Sequence, residues 1–341
     1  MTTKVSDTAG TTGSELDDRT VNQLVEQEIR RWVGAGEDLM SVACLDALFP
    51  SGKLLRPRLC VWSAAASGGT AKEVLSFAAG LECLHVATLM HDDVVDQAPV
   101  RRGRASAAEH FGISMALMAG DGLASTAYVA MLAGTEAGLP ADRVLRAGRV
   151  AADALKRTAA AIAQESLVRG DLTCALATVL EIIRGKTGAL TSAACQSGAI
   201  LADAPADREA ALRTYGEELG VAFQIRDDLL PYATGAHGTE NPGALSDVAN
   251  QQPTVPVLLA RDAADGADRD TLHDLFVEQT DAATAHRRLS EVLIRSGALD
   301  QATEMARTHA ANARGALAQL PPSAARDRLE ELTTTVVDRT Q

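Results

Sequence analysis

Apolar residues recur at helical spacing along almost the whole chain from residue 16 onward. Positions three and four apart share one face of a helix, so this spacing predicts helices and not strands. The predicted helices are 16–33, 37–48, 54–67, 71–97, 114–136, 141–169, 175–202, 207–231, 254–263, 267–278, 281–296, 299–318 and 324–338. No segment alternates convincingly enough to predict a strand. The pattern indicates one all-α domain, a single-domain helical bundle over residues 15–341.

Composition agrees with a helical interior. Hydrophobic residues make up 46% of the chain but aromatics only 3%, so Ala, Leu and Val must fill the core, which favours close-packed helices. A formal net charge of −13 argues against nucleic acid and against a basic membrane-binding patch. No window is expected to span a bilayer without interruption by charge, so no membrane span is predicted.

The cysteines and the N-terminus add two expectations. Five cysteines lie inside apolar helical patterns without CxxC spacing, which indicates reduced core residues in a cytoplasmic protein. Residues 1–14 are rich in Thr, Ser and Gly, with neither a basic start nor an apolar run. They are interpreted as a disordered N-terminal tail and not as a signal peptide.

The most informative stretch is residues 81–96, which ends in Asp92, Asp93 and Asp96. Pro99 cannot continue the helix, so the three acids gather at its C-terminal end, where the helix dipole is already negative. Cations must therefore neutralise them. Three arginines follow directly: Arg101, Arg102 and Arg104. The acids either pair with these arginines in solvent or bind a hard divalent metal such as Mg²⁺, which takes oxygen ligands.

A second acidic helix end favours the metal. Asp227 and Asp228 end another apolar helical pattern, shortly before Pro231 and a glycine-rich loop. Two aspartate pairs on two helices can face each other across a pocket and hold metals between them. With basic residues nearby, such a pocket suits the binding of a diphosphate through bridging metals.

The chain resembles the trans-type isoprenyl diphosphate synthases, the polyprenyl synthetase family, through a series of motifs in the family's order. These motifs are GKLLRP at 52–57, the first aspartate-rich motif at 85–96, the arginine pair at 101–103, Gly120-Asp121, GKT at 185–187 and FQIRDD at 223–228. They span roughly residues 52–256, most of the chain, and their combination is highly specific. The resemblance implies the all-α isoprenoid synthase fold around a central apolar cavity, and usually a homodimer, for which helix 114–136 would suit the interface.

The resemblance also implies roles for individual residues. The expected metal ligands are Asp92, Asp93, Asp96, Asp227 and Asp228, which with Lys186 form the expected catalytic set for Mg²⁺, or Mn²⁺, chemistry. The expected isopentenyl diphosphate site comprises Lys53, Arg56, His85 and Arg102. The expected allylic diphosphate site comprises Arg101, Lys186 and Thr187. Gln224 either positions substrate or belongs to a polar network, and both readings stay open.

The implied reaction condenses isopentenyl diphosphate with an allylic diphosphate to give a longer trans-prenyl diphosphate. Product length should depend on residues below the acids on the same helix, Leu84, Ala87 and Thr88. Ala87 and Thr88 are small where short-chain members of the family carry a bulky aromatic residue. The expected product is therefore geranylgeranyl diphosphate or longer.

The second motif departs from the family pattern. Pro231 stands at the third aspartate position, and Pro242 and Gln252 appear at the positions of two loop lysines, whereas Asp247 matches the loop aspartate. Losing both lysines removes positive charge from the allylic pocket. Two alternatives to elongation therefore remain: a terpene cyclase-like enzyme or a prenyltransferase with another acceptor, and a weakly active partner subunit of a second synthase.

Overall fold

The computed structural model describes residues 17–232, 250–277 and 281–338. The N-terminal tail predicted at 1–14, and Pro242 and Asp247, lie outside the described residues. The helices are α1 Asp18–Val33, α2 Leu39–Leu48, α3 Leu55–Ala66, α4 Ala71–Val95, α5 Ala107–Phe111, α6 Ile113–Leu132, α7 Ala141–Leu167, α8 Leu176–Ile183, α9 Ala189–Leu201, α10 Ala206–Leu229, α11 Val255–Ala263, α12 Gly266–Val277, α13 Ala282–Arg295, α14 Ala298–Ala316 and α15 Ala324–Asp338. The predicted all-α fold is confirmed.

The central helix of the bundle is α4, which packs along α6 and α3, while α10 lies between α9 and α14. At the start of α4, a capping box formed by Thr70 and Glu73 satisfies backbone N–H donors. Small residues let these helices approach closely: an ideal Cβ on Gly80 would lie 2.8 Å from Ala127 O of α6. On Gly216 of α10 it would lie 2.5 Å from Thr191 O of α9. The Ala- and Gly-rich composition thus fixes the spacing of the helices that carry the acids.

The prediction that no strand would be present was wrong. A two-stranded antiparallel hairpin joins β1 Val100–Arg101 to β2 Arg104–Ala105. Both turn residues, Arg102 and Gly103, have positive φ (52° and 73°), as a tight two-residue hairpin turn requires. Strands of two residues are too short to show alternation, so the sequence pattern gave no signal for them.

The predicted helix 175–202 is interrupted by one wide π-helical turn at Arg184–Gly188, and this turn carries Lys186 and Thr187. Gly185 brings the turn against α7, since a Cβ there would lie 2.6 Å from Ala161 Cβ. The hydroxyl of Thr158 donates to Gly185 O at 3.2 Å. Such π turns within α-helices occur frequently at functional sites.

The expectation about membrane spans needs correction. Two helices are long and apolar enough to cross a bilayer by length and composition alone, Ala71–Val95 and Ile113–Thr135. In α4, 67% of the apolar window is buried inside the bundle, as in the core helix of a soluble protein. In the second helix only 39% is buried, which leaves an exposed apolar face on α6.

Candidate active site

Each of the three acids at the end of α4 faces a different cation. Lys186 Nζ lies 3.6 Å from Asp92 Oδ2. Arg101 donates from Nε to Asp93 Oδ1 at 2.8 Å. The third acid, Asp96, forms an ion pair with a residue that the sequence analysis did not single out. The negative end of α4 is therefore neutralised by three separate elements of the fold.

That third cation is Arg169, in the turn after α7. One helical turn earlier, Glu165 accepts a hydrogen bond from Lys186 at 2.5 Å. Burial raises the pKa of Glu165, although Lys186 opposes the shift. Burial alone would lower the pKa of Lys186, but the charges of Glu165 and Asp92 outweigh it and raise that pKa. The sequence signal for Glu165 and Arg169 is weak, because charges near a helix end are common.

The second acidic helix end approaches this cluster through a hydrogen-bonded chain. Thr187 Oγ1 donates to Gln224 Oε1 at 2.7 Å, and Gln224 Nε2 donates to Asp228 Oδ1 at 3.0 Å. Asp228 is buried, whereas Asp227 is exposed. One cavity of about 90 Å³ is lined by Glu165, Lys186, Gln224, Asp228 and Gln252. Lys186 of the predicted allylic site and Asp228 of the second acidic motif thus share one cavity, and Gln252 lies in its wall. Arg101 lines a separate cavity beside Asp93.

Pro231, at the predicted third acid position, does not face the cluster with a carboxylate but belongs to a buried turn after α10. Its carbonyl oxygen lies 3.0 Å from His286 Nε2.

A second group of cations surrounds His85 one to two turns before the acids on α4. Burial lowers the pKa of His85 well below its usual value, and Arg56, Arg102 and Arg101 lower it further. The imidazole is therefore neutral at physiological pH. Burial also lowers the pKa of Arg56 to about 10; Glu82 opposes this shift and Arg102 adds to it. Three guanidinium groups near one neutral histidine form a field that attracts an anion.

Two backbone features place this basic group. Gly52 is packed against Arg102, because a Cβ on it would lie 3.0 Å from Nη2 of that side chain. Leu54 is buried with φ of 47° at the start of α3, so it turns the chain between exposed Lys53 and half-buried Arg56. Glu82 is buried on α4 and was missed in the sequence, although a lone acid in an apolar helix was a usable signal. Its pKa is raised by burial, against the opposing charges of Arg56 and Arg102.

The predicted chain-length residues lie on α4 one to two turns before the acids, next to His85. Leu84 and Ala87 are fully buried, at 0% and 2% exposure, within the main core. Thr88 is half-buried one turn before Asp92, and its hydroxyl donates to His85 O at 2.7 Å. Of the three, Thr88 has the most room to accept a larger side chain.

The fit of this site to a divalent metal rests on the state of its acids. Asp92 Oδ1 is buried and finds no hydrogen-bond partner among the residues that the structure describes, as expected for an oxygen that would bind a metal. Within residues 17–232, 250–277 and 281–338, no three His, Cys, Asp or Glu side chains converge into a complete metal site. Carboxylates supplemented by substrate phosphate oxygens are the usual setting for Mg²⁺. The residues therefore fit a metal that arrives with a phosphate ligand.

The fold and the comparisons with known proteins define the class of protein. The bundle is that of the all-α isoprenoid synthases, and the chain belongs to the polyprenyl synthetase family, whose profile matches residues 39–293. It is 30% identical over 300 residues to the geranylfarnesyl diphosphate synthase of Aeropyrum pernix, covering 87% of this chain and 93% of that protein. It is 31% identical over 289 residues to the octaprenyl diphosphate synthase of Escherichia coli K12, covering 84% and 86%.

Among solved structures, a polyprenyl synthase from Caulobacter crescentus CB15, complexed with calcium and isoprenyl diphosphate, superposes with a TM-score of 0.86. The two chains are 32% identical, and the match covers 95% of this chain and 96% of that one. The family prediction is therefore confirmed, and with it the class of enzyme, a prenyl-transferring synthase.

Proposed function

We propose that the protein elongates an allylic diphosphate with isopentenyl diphosphate, using Mg²⁺ or Mn²⁺, to give geranylgeranyl diphosphate or a longer trans-prenyl diphosphate. The observation that carries the proposal is the placement of two cation groups along one face of α4. Lys186 and Arg101 meet the acids at its end, and Arg56 and Arg102 surround His85 further back. Two diphosphates bound there would share one helix.

Different residues would bind the two substrates and the metals. Lys186, Arg101 and Thr187 would hold the allylic diphosphate, and Lys53, Arg56, His85 and Arg102 would hold isopentenyl diphosphate. The metals, held by Asp92, Asp96, Asp227 and Asp228, would stabilise negative charge on the departing pyrophosphate. Asp93 is also expected among the ligands, but its bond to Arg101 makes it equally suited to aim that guanidinium. The buried apolar wall of α4 keeps water from the reacting carbons.

The proposal is tested by incubating the protein with Mg²⁺, isopentenyl diphosphate and one allylic primer at a time. The primers are dimethylallyl, geranyl, farnesyl and geranylgeranyl diphosphate. Products longer than the primer, separated by chain length, are expected. Asp92→Asn is expected to abolish them, while Asp262→Asn, an acid distant in sequence that pairs with its neighbour Arg261, serves as the matched control.

Other products would overturn the elongation proposal. Pyrophosphate release with a hydrocarbon or alcohol would favour the cyclase-like alternative, for which Gln252 in the cavity wall is the motivating observation. No turnover with any primer would favour the partner-subunit alternative or a different acceptor.

The proposal extends to a cytoplasmic homodimer. The outer face of α6 exposes large apolar side chains, Ile113, Met118, Val129 and Leu132 among them, at 47–60% exposure. All five cysteines are free and buried, in keeping with a reducing compartment. Sedimentation velocity should detect a dimer that Val129→Asp dissociates. Leu145→Asp, an equally exposed apolar position on α7, should leave it intact, and a monomeric wild-type protein would contradict the dimer.

A further inference from the structure

The turn that follows α7 places an arginine at the rim of the candidate active site. Arg169 pairs through Nη2 with Asp96, and the two side chains are 24% and 18% exposed. Its Nε is buried and has no hydrogen-bond partner in the described part of the chain. Among the described residues, Asp96 supplies the only hydrogen-bond acceptor of Arg169. A guanidinium carries five N–H donors, so most of its capacity is unused.

A structural arginine in the same region is held differently. Arg261 donates from Nη1 to two backbone carbonyls, Leu172 O at 2.7 Å and Cys174 O at 2.5 Å, which fixes the connection between α7 and α8. Arg169 makes no such bond to the backbone among the described residues. Its single anchor is a carboxylate of the candidate metal-binding motif, which indicates a functional partner and not a scaffold.

The position of Arg169 relative to the cavity follows from its neighbours. Val168 lines the cavity together with Lys186 and Gln252. Gly170, with φ of 73°, donates its N–H to Gln251 O at 3.0 Å. This bond ties the turn after α7 to the segment that carries Gln252. The turn that carries Arg169 therefore borders this cavity through Val168, and the guanidinium reaches Asp96 at the acidic end of α4, where a bound diphosphate would meet Asp92 and Lys186.

We propose that Arg169 is a diphosphate-binding residue, which pairs with Asp96 in the free protein and transfers to a phosphate oxygen when the diphosphate binds. The inference rests on the proposed function for the identity of the ligand group. If Asp96 held a metal, its charge would no longer be available to Arg169. The planar guanidinium is then matched to phosphate oxygens, which it binds in a two-pronged geometry.

Binding of inorganic pyrophosphate, measured by calorimetry at fixed excess Mg²⁺, tests the inference without turnover. Arg169→Gln should weaken binding roughly 10- to 100-fold, the loss of one charge-assisted contact. Binding of Mn²⁺ alone, followed by electron paramagnetic resonance, should be unchanged or tighter, because Asp96 has lost its competing partner. A merely structural role would weaken both. Arg143→Gln is the matched control, an arginine on α7 that is 26% exposed and paired with Asp203 at 2.5 Å.

A second-site variant tests whether the positive charge of Arg169, and not the shape of its side chain, accounts for pyrophosphate affinity. Gln252→Lys adds a cation to the wall beside the same turn, and in the Arg169→Gln background it should restore most of the pyrophosphate affinity. Wild-type affinity in folded Arg169→Gln, or a parallel loss of pyrophosphate and Mn²⁺ binding, would overturn the inference.

If Arg169→Gln does not fold, Arg169→Lys replaces it, and wild-type pyrophosphate affinity in that variant overturns the two-pronged contact. Failure of the proposed function is a separate result. A wild-type protein that does not elongate any primer, yet binds pyrophosphate in an Arg169-dependent way, would contradict elongation and keep this inference.

Discussion

Thr187 and Gln224 are joined by a hydrogen bond of 2.7 Å from the hydroxyl to the side-chain carbonyl oxygen. This bond orients the Gln224 amide, so its NH₂ group points to Asp228 at 3.0 Å. The π turn that carries Thr187 is thereby coupled to the second acidic helix end. Of the two readings that the sequence left open for Gln224, the structure favours the polar network, and a substrate contact stays a prediction.

Thr187→Val should weaken the use of Mg²⁺ in catalysis, because it removes the hydroxyl that fixes the Gln224 amide. The loss of one hydrogen bond is about 1 kcal/mol, or roughly a fivefold higher Mg²⁺ concentration for half-maximal rate. Thr187→Ser keeps the hydroxyl and should behave as wild type. Steady-state rates over a Mg²⁺ titration provide the measurement. Equal Mg²⁺ dependence of the Val and Ser variants would refute the coupling.

Gly80→Ala should destabilise the protein where α4 crosses α6. An added Cβ would lie 2.8 Å from the backbone oxygen of Ala127, so one of the two helices must move. The expected loss in the free energy of unfolding is about 1–3 kcal/mol, as for other overpacked cores. Gly148→Ala is the control, because nothing in the described part of the chain lies within 4 Å of a Cβ there. It should gain about 0.4–1 kcal/mol, and a Gly80→Ala variant as stable as wild type would contradict the close packing.

The helices of the fold could be predicted from sequence because they depend on local periodicity, and the predicted 71–97 differs from α4 (Ala71–Val95) by two residues at one end. The hairpin at Arg102 and the π turn at Lys186 could not. Both depend on tertiary structure at a few residues. The hairpin depends on a turn with positive φ, and the π turn depends on close packing against α7. Such short departures leave no periodic signal.

The candidate site shows the same division. The acids on α4 and α10 form recognisable sequence motifs, and the structure places Asp92, Lys186, Gln224 and Asp228 around one region. Glu165 and Arg169 belong to no motif, and their contacts with residues 21 and 73 positions away exist only in the folded chain. Sequence reasoning could identify the motifs but not the counter-ions that the fold supplies.

Stability should fall on the acid side of neutrality because of His85. Its pKa in the folded protein lies well below the value of about 6.5 expected for the unfolded chain. Between these two values the unfolded chain binds a proton that the folded chain does not, so stability is lost as the pH falls below about 6.5. His85→Gln should flatten this part of the profile. The free energy of unfolding in urea, measured from pH 5 to 7.5, gives the comparison.

His273 provides the control for this pH effect, since its side chain is 72% exposed. His273→Gln should retain the wild-type slope, because this side chain lies at the surface, away from the buried cations around His85. A His85→Gln profile parallel to wild type would contradict a lowered pKa of His85 in the folded protein.

Chelation of metal should abolish turnover without unfolding the protein. Asp92, Asp93 and Asp96 already have Lys186 and two arginines as counter-ions, so the fold does not require a metal to neutralise them. We expect excess EDTA to stop product formation while lowering the melting temperature by only a few degrees, about 2–4 °C per kcal/mol of binding lost. Loss of the helical circular dichroism signal on chelation would show that the metal is structural.

Thr88→Phe should shorten the product. Thr88 is half-buried one turn before Asp92, where an aromatic ring would block the path of a growing chain below the acids. Ala87→Phe is the weaker test, because Ala87 is 2% exposed in the core and a ring there would cost stability by overpacking. Chain-length analysis of the products from one primer should show a shift of at least one isoprene unit for Thr88→Phe. Thr88→Ala, which adds no bulk, should give products as long as those of wild type or longer. Identical product distributions for wild type, Thr88→Phe and Thr88→Ala would show that Thr88 does not determine product length.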